Sequence, residues 1–240
     1  MSEPSKPRVL ILCGGRGTRL QSGGRSLPKP LVEIGGYPVV WHVVQIYAAH
    51  GFDRFELLTG HRAAEIESFV QTADWPAGIA IECVDTGEDT PTGGRVRRAV
   101  EAGSGGPVCV TYADGVADID LNSLLRFHRE QGAAATMTVV RPELPFGVAM
   151  MDGDRISGFT EKPKSEHWIN GGFMVLEEDA QQAIGPDDVL ERAPMERLAE
   201  GGRLAGYRHD GFWFCMDTYK DQIALNDLWE DGSPPWRNWT

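Results

Sequence analysis

The sequence predicts an α/β fold with a mostly parallel central sheet flanked by helices, and three observations lead there. The apolar run Val9-Leu10-Ile11-Leu12-Cys13 begins just after Pro7 and ends in glycines, as a strand buried inside a parallel sheet would. Strand and helix signals then alternate through the first half of the chain, the pattern of βαβ units with right-handed crossovers. No composition break or long linker interrupts the 240 residues, which places the whole span 1–240 in one domain.

After the first strand, a helix is expected at 38–49, with Pro38 in its first turn and Gly51 just past its end. Strands follow at 55–59, 79–84, 108–112 and 134–140. Between them lie helices at 63–71, 96–102 and 122–131, the last capped by Asp120 or Asn122 and stopped at Gly132. The second half changes character. Segments 148–151 and 155–159 around Asp152-Gly153-Asp154 read as a β-hairpin with a glycine-containing turn. Further strands are expected at 172–176 and 203–207. A closing helix at 218–230 offers Ile223, Leu225, Leu228 and Trp229 as an apolar face. The tail Pro234-Pro235-Trp236-Arg237-Asn238-Trp239 reads as a docked arm.

Composition excludes several function classes. The formal net charge of −12 argues against a sequence-independent nucleic-acid binder, which would carry a basic face. The basic cluster Arg16, Arg19, Arg25 and Lys29 stands out against that acidic background, as a focused anion site would. The four cysteines, Cys13, Cys83, Cys109 and Cys215, form no C-x-x-C pair, so buried reduced thiols are preferred over zinc or disulfides. No apolar run approaches membrane-spanning length, and residues 1–7 are too short and polar for a signal peptide. The expectation is a cytoplasmic protein without nucleic-acid or membrane partners.

The chemistry concentrates in a few motifs. Gly14-Gly15-Arg16-Gly17-Thr18-Arg19 follows the first strand. A loop this rich in glycine can bring bare backbone N–H groups against a phosphate, although it also serves as a plain tight turn. No Gly-Lys-[Ser/Thr] follows, so the Walker loop is excluded. Leu20 stands where the dinucleotide fingerprint needs Gly or Ala. Lys29 lies between Pro28 and Pro30, whose rings hold its backbone extended. That stiffness suits a lysine aimed at phosphate. Asp114 comes almost directly after the strand at 108–112 and is followed by Gly115. A carboxylate there is placed to hold Mg²⁺ against a triphosphate, with an Asx-turn or helix cap as the alternative. For Asp118 and Asp120 the turn or cap is preferred. Asp217 taken alone is a helix N-cap. Glu161-Lys162-Pro163 and Asn170-Gly171-Gly172-Phe173 supply a lysine for a monophosphate, with a carboxylate and an amide for hydroxyls, the equipment for a phosphorylated sugar.

From about Arg8 to the C-terminus the chain resembles the sugar-1-phosphate nucleotidyltransferases, and among them the glucose-1-phosphate cytidylyltransferases. The resemblance rests on the glycine loop, Pro28-Lys29-Pro30, Val32-Glu33-Ile34-Gly35-Gly36, Trp41-His42, Asp85-Thr86-Gly87 and Thr92-Gly93-Gly94-Arg95. Asp114-Gly115-Val116-Ala117-Asp118, Glu161-Lys162-Pro163, Ile169-Asn170-Gly171-Gly172-Phe173, Gly211-Phe212-Trp213 and Met216-Asp217-Thr218 complete it. Asp-Thr-Gly with Thr-Gly-Gly-Arg points to the cytidylyl branch. The resemblance implies a Rossmann-like nucleotidyltransferase fold, with 8–140 mainly nucleotide-binding and 141–240 mainly sugar-phosphate-binding through the hairpin elaboration. It implies that Leu12, Cys13, Gly14, Gly15, Arg16, Gly17, Thr18 and Arg19 wrap the nucleotide, and that Lys29 contacts its phosphates. Arg19 and Lys29 are then the catalytic cations. Thr90, Arg95 and the Ala113 backbone would sit near the base, Asp114 and Asp217 would ligate Mg²⁺, and Gly147, Glu161, Lys162 and Asn170 would line the sugar-phosphate site. The implied partners are CTP, before other triphosphates, and a sugar-1-phosphate, and the resemblance allows a homo-oligomer. The chain departs from the family pattern at Ala113, where Gly is common, at Leu27, and in the short stretch 72–77. The first rival reading is the same fold and chemistry with another triphosphate or another phosphorylated acceptor, and the second is a catalytically silent nucleotide- or sugar-binding regulatory subunit on that fold.

Overall fold

The computed structural model describes residues 5–15 and 27–239. Arg16, Gly17, Thr18, Arg19 and Arg25, which the sequence reading placed at the phosphates, lie outside the described residues.

Nearly every expected strand is present, to within a residue or two. β1 (Arg8–Leu12), β4 (Arg54–Thr59), β5 (Ala80–Asp85), β6 (Val108–Tyr112), β8 (Ala135–Val140), β11 (Ile169–Leu176) and β12 (Leu204–Arg208) form one seven-stranded sheet in the order β12-β8-β11-β6-β1-β4-β5. All pairings are parallel except those of β11, which runs antiparallel to both β6 and β8. The apolar run of β1 is explained by its central place. Val9 and Ile11 join the core on one face of the sheet, and Leu10 joins the core on the other. Burying such a side chain contributes roughly 1.5–3 kcal/mol.

Helices cover both faces. α1 (Val39–Ala48), α2 (Ala63–Thr72), α4 (Leu121–Gln131) and α7 (Tyr219–Glu230) pack on the Val9–Ile11 side. α3 (Thr92–Ala102), α5 (Glu178–Gln182) and α6 (Ala193–Glu200) pack on the Leu10 side. α4 carries the predicted ends: the Asp120 carboxylate accepts from the Ser123 N–H at 3.0 Å, and Gly132 turns left-handed at φ 58°. α7 begins with a capping box between Thr218 and Asp221, so Thr218 is its N-cap.

Several elements differ from expectation. α3 starts one turn early, at Thr92, because the Gly93-Gly94 pair that argues against a helix is used for close packing against another segment. β11 starts at Ile169 and bulges between Asn170 and Met174. Among the described residues, three small ribbons lie outside the main sheet. β2 (Glu33–Ile34) pairs with β3 (Tyr37–Pro38), and β7 (Gly115–Ala117) pairs with β13 (Trp213–Cys215). The third is the predicted hairpin, β9 (Val148–Asp152) with β10 (Arg155–Thr160). The short stretch after α2 is closed by tryptophans: the Trp75 indole donates to the Val70 carbonyl at 3.0 Å and the Trp41 indole to that of Asp74 at 3.2 Å. Among the described residues no helix is long and apolar enough to cross a membrane, and the four cysteines are free.

The C-terminal arm docks as the sequence suggests. Trp236 is fully buried, and its indole N–H donates to His42 Nδ1 at 3.3 Å, while His42 Nε2–H donates to the Ile34 carbonyl at 2.9 Å. This arrangement needs a neutral imidazole, because a proton on Nδ1 would face the indole N–H. Burial accordingly lowers the His42 pKa to about 4, below its ordinary value of about 6.5. Since the folded state resists protonation, the stability contributed by neutral His42 is complete above about pH 6.5 and is lost as pH falls toward 4. Tryptophan fluorescence in urea melts is expected to show that loss, and His42→Gln to flatten it. An unchanged acid slope in the variant would contradict the assignment.

Candidate functional site

Ligands of open α/β sheets bind beyond the carboxyl ends of the strands, and the candidate residues gather there. Cys13, Gly14 and Gly15 leave β1, with the Cys13 N–H donating to the Leu58 carbonyl at 3.0 Å. Asp114 leaves β6. Lys29 is not extended as its flanking prolines predict: it opens a 3₁₀ turn, Lys29–Leu31, closed by the Leu31 N–H on the Pro28 carbonyl at 2.8 Å and anchored by buried Pro30, and the extended backbone falls at Pro28 and Val32 on either side. From that turn its ammonium reaches Asp114 Oδ2 at 2.5 Å and Asp217 Oδ1 at 2.6 Å.

The ribbon β7–β13 is what makes the two aspartates converge. Gly115 pairs with Cys215, and the Met216 N–H donates to the Asp114 carbonyl at 2.9 Å, with the Met216 side chain fully buried beneath. Asp217 then emerges beside Asp114. Because Thr218 and Asp221 cap α7 between themselves, the Asp217 carboxylate is left to face the site. Asp114, Cys215 and Asp217 each offer a ligand atom, and these atoms lie within 4.8 Å of one another. The donor set suits a hard divalent cation through its two carboxylates. The thiol is a poor third ligand for such an ion, since burial first and the flanking aspartates second push its pKa up. Burial alone would lower the Lys29 pKa, but Asp114 and Asp217 outweigh it and hold the ammonium above its ordinary range. Lys29 is therefore charged at neutral pH.

Arg95 sits differently from a base-reading residue. Its guanidinium is buried and donates to the carbonyls of Thr59 (2.7 Å), Gly87 (2.9 Å), Gly14 (3.0 Å) and Glu88 (3.1 Å) and to the Thr86 hydroxyl (2.6 Å). It clamps the start of the glycine loop to the ends of β4 and β5. A Cβ at Gly14 would lie 2.1 Å from this guanidinium, so glycine is required there for the close approach. The other glycines of the Thr92-Gly93-Gly94-Arg95 motif serve a second contact: a Cβ on Gly94 would meet the Pro186 carbonyl at 2.1 Å. The Thr90 hydroxyl donates to the Thr86 carbonyl at 2.5 Å. Ala113 is buried in the core cluster, and Leu12 packs partly buried on the opposite face.

Of the residues expected on the sugar side, Gly147 and Glu161 are brought together. Gly147 leads into the hairpin, and a Cβ on it would lie 2.3 Å from the Phe159 ring and 2.8 Å from the Glu161 carboxylate. Lys162 is exposed and left-handed at φ 46°, directly before Pro163. A residue preceding proline normally stays extended, and such strain is found preferentially at functional positions. Asn170 is half-buried and donates from Nδ2 to the Tyr112 hydroxyl at 3.0 Å. That bond ties it to β6, two residues before Asp114. Sequence reasoning missed Tyr112 and its other partner, Glu191, and no local motif marks either.

Residues 8–198 match the family model described as nucleotidyl transferase. A probable glucose-1-phosphate cytidylyltransferase of Bacillus subtilis is 35% identical, covering 97% of this chain and 100% of the relative. A glucose-1-phosphate cytidylyltransferase of Salmonella typhi is 36% identical, covering 97% and 99%. Among solved structures, HddC from Yersinia pseudotuberculosis superposes with a TM-score of 0.73 at 20% identity, over 93% of this chain and all of that one, a likeness of fold. With the family match and the near-complete relatives together, the chain belongs to the nucleotidyl transferase family, as a sugar-1-phosphate nucleotidyltransferase.

Proposed function

We propose that this enzyme transfers CMP from CTP to glucose-1-phosphate, giving CDP-glucose and pyrophosphate. The observation that carries the reading is the convergence of Lys29, Asp114 and Asp217 at the carboxyl ends of the parallel strands. The names of the near-full-length relatives supply the choice of CTP and glucose-1-phosphate.

In this reaction a phosphate oxygen of the sugar-1-phosphate attacks the α-phosphorus. A new P–O bond forms as the bond to the β-phosphate oxygen breaks, and pyrophosphate leaves with that electron pair. No covalent protein intermediate is needed. The chain's work is to bring two anions together and neutralise them. Lys29 supplies a fixed positive charge, and Arg19 is proposed as a second. Leu12, Cys13, Gly14, Gly15, Arg16, Gly17 and Thr18 are proposed to wrap the nucleotide, with Thr90 and the Ala113 backbone near the base. Arg95 acts in this scheme by holding the Gly14 carbonyl. Asp114 and Asp217 would hold Mg²⁺, which supplies further charge neutralisation when bound. Gly147, Glu161, Lys162 and Asn170 receive the acceptor.

Product analysis tests the reading. CTP, glucose-1-phosphate and Mg²⁺ should give stoichiometric pyrophosphate and a CDP-hexose by mass spectrometry. Binding of both substrates without pyrophosphate release would favour the silent subunit. On the metal side, Asp114→Asn and Asp217→Asn are each expected to weaken Mg²⁺ binding at least tenfold, with stability changed by no more than about 1 kcal/mol. Calorimetric titration and thermal melts check this, and unchanged metal affinity in Asp217→Asn would remove it from the site. On the acceptor side, Lys162→Ala should raise the KM for glucose-1-phosphate by about tenfold or more and leave that for CTP within about twofold. Parallel rises in both would contradict the division of roles.

A further inference from the structure

One carboxylate beside the site has both oxygens committed. Glu191, in the connection leading to α6, accepts the Tyr112 phenol O–H on Oε1 at 2.7 Å and the Thr92 hydroxyl on Oε2 at 2.7 Å. The Thr92 oxygen is itself oriented by the Leu190 N–H at 2.9 Å. An ionised carboxylate can only accept, so the single phenol proton points at Glu191 and the phenol oxygen is left to accept. It accepts from Asn170 Nδ2 at 3.0 Å, while Asn170 Oδ1 accepts the Gly172 N–H at 2.9 Å.

This chain of bonds settles which end of the Asn170 amide points where. Exchanging its oxygen and nitrogen would set a donor against the Gly172 N–H and leave two acceptors facing each other at Tyr112. We propose that Glu191 is a positioning residue for the acceptor sugar: through Tyr112 it holds the Asn170 amide in one orientation. The inference rests on the reading that Asn170 faces the sugar-1-phosphate. The second Nδ2 hydrogen of Asn170 is then a preset donor for an acceptor hydroxyl, and preset donors discriminate strongly against a misplaced or missing partner. The same carboxylate reaches Thr92, in the first turn of α3 where Arg95 clamps Gly14. Acceptor side and glycine loop are thus joined through Glu191, Thr92, α3 and Arg95.

Glu191→Gln tests the proposal, because the amide nearly keeps the shape but can donate to the phenol oxygen and release its proton toward Asn170. The KM for glucose-1-phosphate is expected to rise at least about fivefold, with that for CTP within about twofold. Tyr112→Phe should show the same one-sided defect, and the double variant should be no worse than the worse single one. In the substrate-free protein, the Asn170 side-chain amide resonances, assigned by their loss in Asn170→Asp, should shift in Glu191→Gln. Equal rises in both KM values, multiplying defects in the double variant, or unmoved Asn170 resonances would overturn the proposal. If Glu191→Gln does not fold, an unaltered acceptor KM in Tyr112→Phe overturns it alone. A wild-type enzyme that releases no pyrophosphate from any substrate pair would instead defeat the functional reading, and the resonance shift would still decide whether Glu191 holds Asn170.

Discussion

Replacing Lys29 by Ala is expected to lower kcat by about a hundredfold, the cost of removing one preorganised charge from a phosphoryl site. The melting temperature should move by only a few degrees. Lys29 sits on a surface-proximal 3₁₀ turn whose apolar anchor is Pro30, so deleting its side chain opens no core cavity. Its ammonium lies between two carboxylates, 2.5 Å and 2.6 Å away, where it competes with a bound cation. The variant should therefore bind Mg²⁺ more tightly than the parent while turning over more slowly. Stopped-flow turnover and Mg²⁺ titration on the same preparation check both halves. Near-normal kcat, or weaker metal binding, would show that the lysine serves only to pair the aspartates.

Arg95→Ala should have the opposite character, with the larger loss in stability. Its guanidinium serves five oxygens, four of them backbone carbonyls, and truncation removes all five bonds from a buried space, leaving the Thr59 carbonyl to the Thr86 N–H and hydroxyl and the Gly14 carbonyl to the His61 N–H. Loss of such a network costs about 3 kcal/mol, which for a domain of this size lowers the melting temperature by about 10 °C. Because Gly14 loses its tether, nucleotide affinity should also fall. Arg95→Lys is expected to recover little, since one ammonium cannot reproduce the planar fork. A folded, normally stable Arg95→Ala enzyme with only a raised KM for CTP would return Arg95 to direct contact with the base.

The contrast between these residues shows what the sequence could convey. Lys29 was legible as a lysine set between two prolines, a local signal, although the turn they shape is 3₁₀ at Lys29 and extended only at its flanks. The parallel strands and α4 were legible for the same reason: apolar runs, the Asp120 cap and the Gly132 stop act within a few residues. Strand direction is not written in periodicity, so the antiparallel β11 read like its parallel neighbours. α5 and α6 escaped because short helices carry little repeating pattern. The pairing of β7 with β13 joins segments about a hundred residues apart, and only that pairing turns Asp217 from an apparent N-cap into the neighbour of Asp114. Arg95 illustrates the converse. Its place in a recognisable motif suggested substrate contact, whereas its hydrogen bonds join that motif to Gly14 and to Thr59, Thr86, Gly87 and Glu88, a pairing between segments that no local pattern announces. Glu191 and Tyr112 were illegible because their partners are distant in the chain and their residue types are common.

The most direct test of the central claim is a matrix of kcat/KM values from pyrophosphate release, with CTP, UTP, dTTP and GTP each paired with glucose-1-phosphate. CTP is then paired with other sugar-1-phosphates. The account predicts the highest value for CTP with glucose-1-phosphate, falling at least about a hundredfold in Lys29→Ala. A clear preference for UTP, dTTP or GTP would contradict the cytidylyl assignment, and a Lys29→Ala enzyme with undiminished kcat/KM would contradict the site.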